Sequence, residues 1–153
     1  MSIHHVLVPT DFSACAEQAL DHAIRLARIL NARLTVLHVM QPVPMAGVDM
    51  GVALPQTYLQ EVEETVQGNM EEALARVTAA GLTAERVVLS GVPFQEIVET
   101  AKARQVDLIV MGTQGRTGYL HVLLGSVTEK VVRLAPCSVL VTRPPASPPE
   151  AAN

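Results

Sequence analysis

Leu108-Ile109-Val110-Met111-Gly112-Thr113-Gln114-Gly115-Arg116, followed further on by Gly125-Ser126-Val127-Thr128, is the stretch around which the chain is organised. Its aliphatic start reads as a buried strand, and the segment that hands this strand over to a helix is spaced by glycines as G-x2-G-x9-G with Ser126 directly behind. Glycines let backbone N–H groups approach an anion and reach positive φ, and the first turn of a helix adds unpaired N–H groups and the positive end of its dipole. Ser126 is expected to cap that helix or donate to a phosphate oxygen, with the Thr128 hydroxyl one turn in. Arg116 is the cation inside the loop. The alternative is that Gly112 and Gly115 only shape a loop while Gly125-Ser126 starts a helix.

The spacing matches neither of the two common nucleotide fingerprints. No G-x-x-x-x-G-K-[ST] occurs, and the turn after the first strand, Pro9-Thr10-Asp11-Phe12, holds no glycine, which excludes the dinucleotide G-x-G-x-x-G at its usual place. A phosphate site here is of another kind.

Gly112-Thr113-Gln114-Gly115-Arg116, Leu123-Leu124-Gly125-Ser126-Val127 with Glu129-Lys130-Val131, and Ala135-Pro136-Cys137-Ser138-Val139-Leu140-Val141 together resemble the carboxy-terminal signature of the universal stress protein family. Ile3-His4-His5-Val6-Leu7-Val8-Pro9-Thr10-Asp11-Phe12-Ser13, then Ala19-Leu20, is similar to that family's first strand and helix entry, so the resemblance spans about residues 3 to 143. The full glycine pattern marks the ATP-binding branch. The resemblance implies that Pro9, Thr10 and Asp11 face the adenosine, Val39 offers backbone groups to the adenine edge, and Met111 and Gly112 border the ribose. It assigns the phosphates to Gly115, Arg116, Gly125, Ser126, Val127 and Thr128. Mg²⁺ or Mn²⁺ is expected to arrive with ATP, bound mainly by phosphate oxygens and water.

Working outward, strands and helices alternate. Ile3 to Val8 reads as a short buried strand, and Thr10 to Ser13 supply caps for a helix with Ala16, Ala19, Leu20, Ala23, Ile24, Ala27 and Leu30 at three- and four-residue steps. Asn31 is its stop, and Arg33 to Val39 a second strand. Met40 to Gln56 is broken by Pro42, Pro44, Gly47, Gly51 and Pro55 into a long loop, whose methionines would suit an adenine pocket or a partner surface. Tyr58 to Ala80 predicts the longest helix, with Leu59, Val62, Val66, Met70, Ala73, Leu74 and Val77 on one stripe and a solvated acidic face opposite. Gly81 ends it. Ala84 to Leu89, a helix carrying Phe94, Ile97, Val98 and Ala101, a strand over Asp107 to Met111, a short helix around Val127, Val131 and Leu134, and a last strand over Ser138 to Thr142 complete the pattern.

Such alternation implies an α/β protein with a doubly wound, open, parallel five-stranded sheet and helices on both faces. The strand order 3-2-1-4-5 is what the resemblance implies, and it would make the Pro9–Ser13 and Gly112–Thr128 loops neighbours where the sheet reverses. The 153 residues suit one domain over residues 1–143, with the proline-rich residues 144–153 as a disordered tail.

A net charge of −4 with scattered basic residues argues against a nucleic-acid surface. There is no apolar run of about 18 residues and no signal-peptide pattern at the start, so a cytoplasmic protein away from membranes is expected. Cys15 and Cys137 fit reduced thiols, and Cys15, in the first turn of a predicted helix, is the one for which a redox role is the alternative. The histidines show no metal-ligand spacing, and His38 stands at the end of the second strand, beside the pocket edge. No nucleophile elbow is present, and Asp11 is the acid close to the expected phosphates. The functional expectation is therefore an ATP-dependent stress-response switch or sensor; a slow ATPase or phosphotransferase and a nucleotide-independent interaction scaffold are the alternatives. The flat apolar strand at 138–142 is expected to pair with a second copy as a homodimer.

Overall fold

The computed structural model describes residues 2–42, 55–114 and 124–143. In chain order the elements are β1 His5–Pro9, α1 Ala14–Leu30, β2 Arg33–Met40, α2 Gln56–Ala79, β3 Ala84–Ser90, α3 Pro93–Ala103, β4 Leu108–Gly112, α4 Ser126–Leu134 and β5 Ser138–Thr142. The strands form one parallel sheet in the order β3-β2-β1-β4-β5. Strand ends differ from the sequence reading by one or two residues, since β1 begins at His5 and includes Pro9, and β4 includes Gly112.

Period-two alternation divides the core. Val6, Val8, Leu34, Val36, Leu108 and Val110 point to one face, where α1 and α2 cover them, while Leu7, Leu37, Ile109 and Met111 point to the other, with Ile97 of α3 and Val131 of α4. Strands buried on both faces explain why they read as near-continuous aliphatic runs. Ser13 caps α1 by accepting from the Ala16 N–H at 3.2 Å, and Asn31 ends it in the left-handed conformation, φ 52°. Gly81, at φ 78°, follows the end of α2.

The stripe on α2 is not core along its whole length. Met70, Ala73 and Val77 are buried, but Leu59 is 48 % exposed and Val62 and Val66 are half-buried, because the amino-terminal half of the helix walls a cleft instead. Arg76 ties the buried half to α1 through two bonds to the Asp21 carboxylate, at 2.8 and 2.7 Å.

The amino-terminal ends of the strands are held by a separate polar cluster. Asp107 Oδ2 accepts from the His4 and His5 N–H groups at 2.8 and 2.9 Å, joining the start of β4 to β1. The buried His5 ring sits between the Arg104 carbonyl, 3.1 Å from Nδ1, and Thr35 Oγ1, 2.8 Å from Nε2. A carbonyl only accepts, so Nδ1 carries the proton and Nε2 accepts from the threonine hydroxyl. Burial lowers the His5 pKa, and the backbone N–H of His4 is the largest of the influences that lower that of Asp107.

Candidate functional site

β1 pairs with both β2 and β4, and the chain leaves this centre in opposite directions, so the carboxyl ends of β1 and β4 part to open a crevice. A cleft of about 720 Å³ occupies it, within the range of about 300–1,000 Å³ usual for small-molecule sites. Its lining includes Pro9, Thr10, Asp11, Val39, Met111, Gly112, Gly125, Ser126, Val127 and Thr128. These come from four separated stretches of sequence. Gly115 and Arg116, the remaining expected phosphate contacts, lie outside the described residues, as do the loop methionines Met45 and Met50 and the 144–153 tail.

The β4 to α4 connection is stapled at its stem. Thr113 N–H donates to the Thr142 carbonyl at 3.0 Å and its own carbonyl accepts from Gly125 N–H at 2.7 Å, so the two ends of the loop are joined at Thr113, which is itself tied to β5. Gly125, not Ser126, is the N-cap of α4, and Ser126 is the first helical residue. The serine therefore does not cap the helix. Because glycine has no side chain, the N-cap residue itself offers no side-chain acceptor to the first-turn N–H groups, and Glu129 N–H bonds the Gly125 carbonyl at 2.9 Å. Ser126, Val127 and Thr128 thus bring uncapped donors and the positive helix end to the cleft wall. Thr128 departs from its expected role, since its buried hydroxyl donates to the Gly112 carbonyl at 2.9 Å and fastens α4 to β4.

The glycines are also used differently from the expectation of positive φ. Gly125 has φ −57°, and Gly112 is not among the positive-φ residues. At Gly112 the requirement is space, because a Cβ there would meet the Cys15 carbonyl oxygen at 2.9 Å and its carbon at 3.0 Å. The left-handed residue at the cleft is Phe12, φ 63°, at a cost of about 1–2 kcal/mol for a side chain in that region.

Side chains hold this turn. Thr10 Oγ1 accepts from Phe12 N–H and Asp11 Oδ1 from Ser13 N–H, each at 3.0 Å, while Thr10 N–H continues the ladder to the Leu37 carbonyl at 2.8 Å. His38 Nδ1 lies 2.8 Å from the Thr10 carbonyl and its ring stacks on Phe12 with centroids 4.5 Å apart. Phe12, Gln41, Tyr58, Glu61 and Gln114 also line the cleft. Sequence reasoning missed them as site residues; the stripe that brings in Val62 and Val66 has the same helical spacing as core, and no local signal separates the two.

The cleft is polarised. Among its described lining residues Asp11 and Glu61 are the acids and no Lys or Arg stands, so there the positive end of α4 is the counterpart to them. Among the described residues no group of His, Cys, Asp and Glu is placed to hold a metal ion. Cys15 and Cys137 are both free, and burial pushes the Cys137 thiol pKa up.

The universal stress protein family model matches residues 2–143. The chain belongs to the universal stress protein family. Universal stress protein MJ0531 of Methanocaldococcus jannaschii is 37% identical over 145 residues, spanning 92% of this chain and 82% of that one. Among solved structures, that of the protein MJ0577, described as a structure-based assignment of biochemical function, superposes with a TM-score of 0.83 at 29% identity, covering 96% of this chain and 100% of that one. A universal stress protein in complex with cAMP superposes at 0.68 with 28% identity, covering 94% and 98%. The universal stress protein fold, with its 3-2-1-4-5 sheet, is thus shared over nearly the whole length. No helix among the described residues is long and apolar enough to cross a membrane.

Proposed function

We propose that this universal stress protein binds ATP, carried with Mg²⁺ or Mn²⁺, in the cleft at the sheet reversal and acts as a nucleotide-dependent switch or sensor. The observation that carries the reading is the start of α4, whose N-cap glycine leaves backbone donors without a side-chain cap at a cleft otherwise lined by acidic and apolar residues. An anionic tail belongs at the helix start, and a neutral base and sugar among the remaining lining residues. The complex of a relative with cAMP supports a nucleotide as the ligand class. Pro9, Thr10 and Asp11 then face the adenosine, Val39 the adenine edge, and Met111 and Gly112 the ribose. Ser126, Val127 and Thr128 hold the phosphates through N–H groups, with Gly115 and Arg116 contributing from the loop. The metal ion, when bound, neutralises phosphate charge; no described cluster of acids supplies its coordination.

Isothermal titration with MgATP is the test. Saturable binding with one site per chain is expected, and an absence of heat at millimolar nucleotide, with none retained through purification by mass, would sink the reading.

A further inference from the structure

The β1 to α1 turn holds a side-chain-bearing residue in the left-handed region where a glycine would be at ease. Phe12 is at φ 63°, and it sits between Asp11 and the Ser13 that caps α1. Two of the contacts that hold it come from the turn itself, through Thr10 Oγ1 and Asp11 Oδ1. The third comes from another strand. His38 is on the face of β2 that α1 and α2 cover, its Nδ1 donates to the Thr10 carbonyl at 2.8 Å, and its ring stacks on Phe12 at an interplanar angle of 30°. The carbonyl can only accept, so the bond specifies the Nδ1–H form on that side of the ring. Phe12 in turn packs against the core cluster that includes Val8, Val36 and Met70.

We propose that His38 is a positioning residue for the nucleotide site: it clamps the turn so that Thr10 and Asp11 are in place before the ligand arrives. The inference rests on the nucleotide reading above for what the turn binds, but not for the clamp itself. A strained turn held by neighbouring structure is a preorganised one, and the ordering cost is then met in folding instead of in binding. One histidine serves both halves of the turn, the carbonyl of Thr10 by its nitrogen and the ring of Phe12 by its face.

Two substitutions separate these halves. His38→Phe keeps a ring against Phe12 and loses the donor; His38→Asn places an amide N–H close to the position of Nδ1 and loses the ring. The measurements are MgATP affinity by titration and hydrogen exchange of the Phe12 and Ser13 amides in the ligand-free protein, with global unfolding followed in parallel. His38→Phe is expected to weaken ATP by about tenfold and to lose protection at both amides, while His38→Asn recovers part of both. Phe12→Leu, which removes the ring that His38 stacks on and leaves the bond to the Thr10 carbonyl in place, is expected to shift the same two readouts and carries the test should a His38 variant not fold; no shift in either would then overturn the clamp. Unchanged affinity and protection in His38→Phe, or an asparagine no better than the phenylalanine, would overturn the clamp. If the unsubstituted protein binds no ATP, the nucleotide reading fails by itself. The clamp is then decided by amide exchange alone: lost protection supports it and retained protection overturns it.

Discussion

Gly112 and Gly125 belong to one motif, yet their tolerance of a side chain differs. A methyl at Gly112 would press on the backbone of Cys15, which cannot swing aside as a flexible side chain could. Gly112→Ala is therefore expected to cost about 1–3 kcal/mol in urea unfolding by forcing α1 away from β4. Gly125 has φ −57° and ψ 152°, a conformation that valine adopts readily. Gly125→Val should keep the unfolding midpoint close to that of the parent while lowering ATP affinity by at least about tenfold, since its side chain would stand at the uncapped helix start. Loss of the fold would instead make Gly125 a structural residue.

The pH dependence also belongs to single residues. Asp107 has a pKa below its ordinary value of 3.8, mainly through the His4 N–H, so its contribution is present above that value and is lost as pH falls through the lower folded one. His5 has a pKa below 6.5 through burial as its neutral form, so its contribution is full above 6.5 and declines as pH falls from there toward the folded value. Both make the protein less stable in acid. Unfolding midpoints measured down a pH series should fall less steeply below 6.5 in His5→Asn than in the parent, and a parallel slope would exclude His5 as the source.

At the scale of the element, α2 is two half-helices with different employment. Met70→Ala is expected to cost about 2–5 kcal/mol because the side chain is wholly buried and leaves a cavity. Val62→Ser, four residues from Val66 on the same stripe, should cost under about 1 kcal/mol, since the half-buried valine faces the cleft. Equal losses in denaturant titrations would show that the whole stripe is core. The spacing of Leu59, Val62, Val66 and Met70 made the helix legible in the sequence, but amphipathic periodicity reports which residues share a face and not what that face meets.

For the whole molecule, the outer edge of β5 decides the expected assembly. β5 ends the sheet, and Leu140 on it is 38 % exposed. We propose that a second copy pairs with residues 138–142 about a two-fold axis, satisfying an edge that no other described strand pairs. Light scattering at micromolar concentration should give about twice the chain mass, and Leu140→Lys should move it toward that of one chain. A single-chain mass for the unsubstituted protein would refute the dimer.

Local chemistry alone determined the elements: aliphatic runs bounded by Pro9, Asn31, Gly81 and Pro136 can be read because turn, cap and burial preferences act over a few residues. Ser13 and Asn31 do what their residue types suggest. The glycine spacing indicated a phosphate site and the family resemblance supplied the strand order, which periodicity could not give. Only the tertiary structure decided how individual groups are employed. Thr128 gives its hydroxyl to Gly112, Gly112 is small because Cys15 stands over it, and Phe12 takes the left-handed turn with His38 against it. Each of these depends on a partner far away in the chain, and a hydrogen bond or close approach between distant residues leaves no period or local pattern in a single sequence.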